Sequence, residues 1–571
     1  MKPKYIFISL ILITLVAFLL RLITMSSPIP TDDPLYNLRQ IDSLIANNLN
    51  YTWFDPLNMY QSDATVFWGP LFPTMIAALC LMTGVNTVLV ASIVPPILAA
   101  LITIPAFFLG KSFGNWKTGL IASAFTAVIG GQFFYRSTFG FVDHHIAEVL
   151  FSTLFCLLYI FALRSIETNK IVIVSFFAGI AYVLGFLTMP TMILFAMIVG
   201  IFTVINPSKK LVIINTAVFG TAILGTLLFG IKASGFDLSS YSIGHPIAYL
   251  SLIMATILLY LISTRLSKKL YIGFISVIAL TTISISYIFN ISFITNLLSF
   301  FGQSAITNTV SEAQGWGIVQ MGMSFNIGTL LAIGGAFFLL LAFLKTRDDA
   351  SLFVLVWSFI ILFSTWQHVR YEYYVAINIA LLAAIFVTSI KTKHVGAILA
   401  GVFIILSIYS ILTIPIPTGN DDLQLSLEWM EKNTPSPGVD YYKVYNKSFV
   451  YPPESYSVMS WWDYGHAITY YAHRIPVANP FQQGVSGPMG AASYFMSIDE
   501  NAANKILDYH HTKYVVVDKK MATDDLWAMA AWANVTPDYN ETVMVKLYKE
   551  ELNNYTLVHK EGEVKIFECG G

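Results

Sequence analysis

The sequence predicts a polytopic α-helical membrane protein followed by a C-terminal extracytoplasmic mixed α/β domain. Of its 571 residues, 56% are apolar and 11% charged, against roughly 25% charged in an ordinary soluble domain. Apolar runs of about 20 residues, enough to cross a bilayer, recur as far as residue 414. Beyond 414 they stop. The 32 Lys and Arg balance 33 Asp and Glu, so bulk electrostatics give no reason to expect nucleic acid as a partner.

In order along the chain, apolar windows fall near 4–25, 86–110, 117–133, 145–164, 170–188, 190–206, 211–230, 246–264, 270–288, 325–344, 351–366, 371–389 and 394–414, about thirteen spans. Residues 72–84 form a shorter apolar piece, expected to be re-entrant or interfacial. The stretch 170–206 is too long for one helix and is expected to break at Met189-Pro190, because a residue before proline avoids the helical region. The first span is too long for a signal-peptide core and lacks a small-residue cleavage site, so it reads as retained.

Orientation follows from the basic residues in the loops. Lys2, Lys4, Lys209, Lys210, Lys268, Lys269, Lys391 and Lys393 all fall in one set of alternate loops, whereas the other set holds little beyond Arg39, Arg136, Lys232 and Arg370. The N-terminus is therefore expected in the cytoplasm and the tail outside. Residues 1–414 read as a transmembrane domain, with outer loops at about 27–70 and 289–324, and residues 415–571 as a separate domain. In that tail an amphipathic helix is expected near 421–432, a strand at "YVVV" (514–517), and a hairpin in "YTLVHKEGEVKIFE" turning at Glu561-Gly562. Cys80, Cys156 and Cys569 suggest no disulfide framework.

A membrane protein keeps charge away from lipid unless function requires it, so polar residues on the outer side mark a candidate site. "PTDDPLYNLRQID" (30–42) and "GFVDHHIAEVLF" (140–151) supply Asp33, Asp143 and His145, ligands suited to Mg²⁺ or Mn²⁺. The plainer readings are an Asp-Pro turn and a helix N-cap. Arg370 in "WQHVRYEYYVAIN" is a snorkelling interface residue or a bidentate phosphate partner. Glu312 in "TNTVSEAQGW" is a solvated loop acid or a neighbour of the metal candidates.

The outer tail contains "WWDYG", residues 461–465. Its plain reading is an aromatic core cluster with Asp463 capping a turn. The functional one is sharper: indole N–H groups only donate and a carboxylate only accepts, so Trp461, Trp462 and Asp463 together satisfy one bound hydroxyl.

Taken together, these motifs resemble the catalytic subunit of oligosaccharyltransferase, most closely its archaeal single-subunit members. "WWDYG" matches the family signature without substitution, with Tyr464 and Gly465 completing it. "DDPLYNLR" resembles the first acidic motif, "DHH" the second, "TVSE" the motif of the fifth outer loop, and "RYEYYVAIN" the arginine segment near the lipid phosphate. The resemblance implies a glycosyltransferase of the GT-C membrane class. It would move an oligosaccharide en bloc from a polyprenyl (dolichyl) phosphate or diphosphate to the asparagine of Asn-x-Ser/Thr, with inversion, a divalent cation, and no partner subunit. One segment departs from the pattern. Where the family has Asp-x-x-Lys, this chain has Asp518 with Met521 in the lysine position and Met529 further on.

The implied chemistry needs a localised amide lone pair, which Asp33 and Glu312 supply by each accepting one N–H of the asparagine. A metal on Asp33, Asp143 and His145, with Arg370, would take charge from the departing phosphate. Six Asn-x-Ser/Thr sites, at Asn50, Asn290, Asn446, Asn534, Asn540 and Asn554, fall in expected outer segments. The nearest competing readings are another GT-C transferase acting on hydroxyl or lipid acceptors, which would lack "WWDYG", and a transporter, which would carry its ionisable groups at mid-membrane.

Overall fold

A computed structural model describes residues 2–61, 65–66, 68–288, 305–413 and 415–570. The chain divides into two compact units: 1–22, 96–138 and 144–415 form the first, while 23–95, 139–143 and 416–571 form the second. Residues 289–304, the start of the loop expected at 289–324, lie outside the described residues, as does Asn290.

Among the described residues, eleven helices are long and apolar enough to cross a membrane. They correspond to eleven of the expected spans. The other two windows, 117–133 and 190–206, also form helices, but shorter ones: Trp116–Val128 has 13 residues, and the segment Pro190–Ile205 falls below spanning length. The break at Met189-Pro190 is present. The Thr168–Thr188 helix ends, Met189 is extended at φ −160°, and Pro190 starts a new turn. Leu71–Thr83 is a short apolar helix.

Local chemistry fixes the helix starts. Ser208 and Asp348 cap theirs through the backbone N–H groups of Leu211 and Ser351, each satisfying an otherwise orphaned donor. In the helix Val369–Ser389 83% of the residues of its most apolar 18-residue stretch are buried, whereas in Lys268–Ile285 only 6% are. The first is central to its unit, and the second presents its apolar side chains outward, as a lipid-facing helix does. The protein is a multi-pass membrane protein.

The second unit contains a five-stranded mixed sheet in the order β2-β1-β3-β5-β4. The strands are β1 (Ser457–Met459), β2 (Ile475–Pro476), β3 (Thr512–Val517), β4 (Tyr555–Glu561) and β5 (Val564–Cys569). β1 runs parallel to both β2 and β3, while β5 is antiparallel to β3 and β4. The chain therefore leaves β1 toward a neighbour on one side and later returns on the other. In open α/β sheets that reversal leaves a crevice at the carboxyl ends of the strands, where ligands bind.

The expected tail elements are all present. The helix Asp421–Asn433 is capped by Asn420 and buries Leu423, Leu427 and Met430 on one face. The hairpin turns through Gly562-Glu563, one residue later than the expected Glu561-Gly562, because Glu561 still pairs with Val564; Gly562 has φ +52°, a conformation that favours glycine in tight hairpin loops.

Candidate functional site

The signature pentapeptide begins where β1 ends. Ser460 Oγ donates to the Val516 carbonyl at 2.9 Å, tying the strand end to β3. Trp461 is buried and Trp462 half-buried, their rings 6.3 Å apart at 72°. Residues Trp462–Tyr464 form one 3₁₀ turn and Gly465 opens the helix Gly465–Ala472. That glycine is required by space: a Cβ there would collide with the Ala478 carbonyl oxygen and with Asn479.

Because β3 is parallel to β1, its end lies beside this turn. Asp518 follows β3 and caps the helix Lys519–Thr523 by accepting the Met521 N–H at 2.9 Å. Its other oxygen accepts the Tyr464 hydroxyl at 2.5 Å. Met521 is fully buried. The cation that reaches the pentapeptide is Lys520, whose Nζ lies 3.6 Å from Asp463 Oδ2 and 3.2 Å from Asp525 Oδ2. Burial pushes the Asp463 carboxyl up to about 6; Lys520 opposes the rise, while Asp525 and Asp32 add to it. About a third of this side chain remains exposed.

The first acidic motif belongs to the same unit. Asp32 precedes the helix Asp33–Ala46, in which Pro34 occupies the first turn, a position where its missing N–H costs nothing. Asp33 is half-buried. The helix is held against the C-terminal residues by its next turns. Tyr36 packs on His466 and Phe481 with ring centroids 5.0 and 4.8 Å apart. Arg39 pairs with Asp55 at 3.4 Å and lies 4.2 Å above the Tyr441 ring. Burial lowers the His466 ring to about 3, so it packs as a neutral aromatic.

The second acidic motif is a run of three buried residues. Asp143, His144 and His145 can each present a ligand atom, all within 4.8 Å of one another. The N-cap of the following helix is His144, with no side-chain capping bond, so Asp143 does not serve as the cap. One carboxylate with imidazoles fits a divalent ion of borderline softness. Glu148, one turn along, faces this pair: its Oε1 lies 3.1 Å from His145 Nδ1, within hydrogen-bond distance, and 3.3 Å from His144 Nε2, an ion-pair contact.

Glu312 and Arg370 lie on two segments that are stitched together within the first unit. The Val369 N–H donates to the Gln314 carbonyl at 2.9 Å, and His368 Nδ1 lies 3.0 Å from the Ala313 carbonyl. Glu312, half-buried in the turn Ser311–Ala313, forms an ion pair with Arg136. Arg370 is half-buried in the turn Val369–Tyr371. Next to it, Glu372 accepts the Gln132 N–H and the Trp316 indole N–H, both at 2.8 Å.

Sequence reasoning passed over four of these groups: Glu148, Arg136, Glu372 and Lys520. For Glu148 a signal existed, since "DHHIAE" places a carboxylate three and four residues after the two histidines, on the same helical face. For Lys520 the family pattern pointed one residue too far along, to Met521.

Comparison with known proteins agrees with this architecture. The family described as "Oligosaccharyl transferase STT3, N-terminal" matches residues 5–406, and the "AglB core domain" matches residues 420–522. Dolichyl-phosphooligosaccharide-protein glycotransferase 3 of Archaeoglobus fulgidus is 27% identical over 88% of this chain and 67% of its own length. Dolichyl-monophosphooligosaccharide–protein glycotransferase AglB of Haloferax volcanii is 26% identical over 86% of this chain and 62% of its own. The chain thus spans about two thirds of the length of these relatives. Among solved structures, the archaeal oligosaccharyltransferase AglB from Archaeoglobus fulgidus, in complex with an inhibitory peptide and a dolichol-phosphate, superposes with a TM-score of 0.87 at 23% identity. It covers 98% of this chain and 80% of its own. The Archaeoglobus fulgidus oligosaccharyltransferase in complex with Zn and sulfate superposes at 0.81, with 23% identity and coverage of 97% and 79%. The fold is the same. The chain belongs to the oligosaccharyl transferase family, a family of glycosyltransferases.

Proposed function

We propose that this protein transfers an oligosaccharide en bloc from a polyprenyl (dolichyl) phosphate or diphosphate to the asparagine amide of Asn-x-Ser/Thr, inverting the anomeric carbon. The observation that carries the reading is the intact Trp461-Trp462-Asp463 turn at the carboxyl end of β1, with a carboxylate held about a third exposed beside two indoles. The reading is supported by the names of the relatives, which act on dolichyl-linked oligosaccharide and protein.

In this reading Trp461 and Trp462 donate to the Ser/Thr hydroxyl and Asp463 accepts its proton. Tyr464, Gly465, Asp518 and Met521 support that turn. Asp33 and Glu312 each accept one N–H of the acceptor amide, which localises the nitrogen lone pair that resonance otherwise spreads into the carbonyl. Glu312 has to exchange its Arg136 partner for the amide. Arg370 binds the lipid phosphate as a two-pronged donor. Asp33, Asp143 and His145 hold a divalent cation, Mn²⁺ or Mg²⁺, which when bound supplies Lewis-acid stabilisation of the leaving phosphate. The N-terminus is cytoplasmic, and the acceptor-binding domain, residues 415–571, lies outside. The chain acts as a single subunit.

The test uses purified protein in detergent, the host's lipid-linked oligosaccharides and a fluorescent Asn-x-Thr peptide, with Mn²⁺ and with EDTA. A mobility shift that requires the metal, and that disappears in Asp33→Ala and in Glu312→Ala, is the expected result. A shift that persists in both variants would overturn the assignment of the two carboxylates.

A further inference from the structure

We propose that Glu148 is a positioning residue for the metal centre: it holds His145 with the proton on Nδ1, so that Nε2 is the nitrogen offered to the ion. The inference rests on the metal reading above. Glu148 is 1% exposed and lies in a membrane-spanning helix, where a carboxylate is costly unless all its acceptor capacity is used. It is used. Oε2 accepts the Thr191 and Tyr374 hydroxyls, each at 2.5 Å, and Oε1 faces His145 Nδ1 at 3.1 Å and His144 Nε2 at 3.3 Å.

An ionised carboxylate only accepts, so the imidazole nitrogen facing it carries the hydrogen and the opposite nitrogen keeps its lone pair. With three hydrogen bonds on its two oxygens and His144 Nε2 at 3.3 Å, Glu148 acts through the histidines and is not itself a ligand. Its partners come from three helical segments: the one beginning at His145, the turn Pro190–Met192, and Val369–Ser389. The carboxylate is therefore fixed from several sides. The His145 ring is fixed as well, stacked on Tyr373 at 4.7 Å and 29°. A carboxylate behind a ligating histidine sets the ring's tautomer, its direction and its basicity, and losing one typically weakens metal binding 10- to 100-fold.

The test measures Mn²⁺ affinity by electron paramagnetic resonance on the full-length protein in detergent, together with the Tm of each metal-free variant. Glu148→Leu removes both charge and hydrogen bond and is expected to raise Kd about 100-fold; Glu148→Gln keeps an oxygen for the Nδ1–H and is expected to raise it about 10-fold. Tyr374→Phe, which removes only a support of Glu148, is expected to raise Kd a few-fold, and it carries the test with Glu148→Gln if the leucine variant does not fold. A lowered Tm with unchanged Mn²⁺ affinity in these variants would make Glu148 a structural group only and overturn the inference. If His145→Ala binds Mn²⁺ as the wild type does, the metal reading itself fails and takes this inference with it.

Discussion

Two carboxylates of the helical unit and one of the second unit sit in opposite environments. In the helical unit, Glu148 and Glu372 are each 1% exposed and surrounded by donors from several segments. In the second unit, Asp463 sits on a one-turn loop, a third exposed, with one lysine at 3.6 Å. A buried carboxylate with both oxygens engaged has little left to offer a ligand, and its contribution is to hold other groups still. One that is dehydrated but incompletely partnered can still accept a hydrogen bond. Glu148 and Glu372 thus fix geometry, whereas Asp463 keeps capacity for a further hydrogen bond, as the proposed hydroxyl recognition requires.

The comparison breaks most sharply in a pair of substitutions. Asp463→Ala is expected to lower acceptor-peptide affinity about 100-fold, the scale of lost hydrogen bonds to a charged group, with little change in Tm. Glu372→Ala is expected to do the reverse. It strands the Trp316 indole N–H and the Gln132 N–H, each a cost of about 1–3 kcal/mol when buried, so Tm falls while peptide affinity holds. Calorimetry and peptide titration on both variants decide it; a matched loss of Tm and affinity in either would erase the distinction.

Gly465→Ala tests how tightly the turn is set. The new methyl meets the Ala478 carbonyl, and overpacking of this kind typically costs about 1–3 kcal/mol. Peptide binding and Tm should both fall. An unchanged Tm would mean that the turn moves freely away from Ala478.

The pH response of acceptor binding should be milder. Asp463 has its carboxyl raised to about 6, chiefly by burial, so below that pH it is protonated and loses acceptor strength. Peptide affinity is expected to fall as pH drops from 7 to 5. Stability runs the other way: a carboxyl raised on folding stabilises the folded state fully below its unfolded value of 3.8 and loses that contribution as pH rises through about 6. Lys520→Met removes the opposing cation and should move the midpoint of the affinity curve to higher pH. A midpoint that stays put would remove Lys520 from the site. Tyr464→Phe, which loses the hydrogen bond to Asp518, is expected to cost about 1.5–3 kcal/mol in Tm-derived stability, comparable to Gly465→Ala.

What could be read in the sequence was what local signals carry. Hydropathy located eleven spanning helices and the proline break, and turn chemistry located the hairpin at 555–569. The Trp461–Gly465 motif identified the family. Contacts between distant residues left no such trace. Tyr36 meets His466, and Thr469 donates to the Leu57 carbonyl at 2.9 Å, across some 400 residues with no spacing rule to join them. For the same reason the partner of Glu312 went unforeseen, because Arg136 sits far away in sequence. The helix at 116–128 came out shorter than its apolar window because Ile129 turns extended and Gly130-Gly131 follow, and glycine is a poor helix former.

The central claim is that the β1 turn reads a hydroxyl while the protein modifies an amide. The most direct measurement is mass spectrometry of the transfer product from paired Asn-x-Thr and Asn-x-Val peptides, which have nearly the same shape and differ by that hydroxyl. The account predicts glycan on the asparagine nitrogen of the Thr peptide, with transfer to the Val peptide lower by roughly 10⁴-fold, as for sites built around a substrate hydroxyl. Equal transfer to both peptides, or glycan attached to the threonine oxygen, would contradict it.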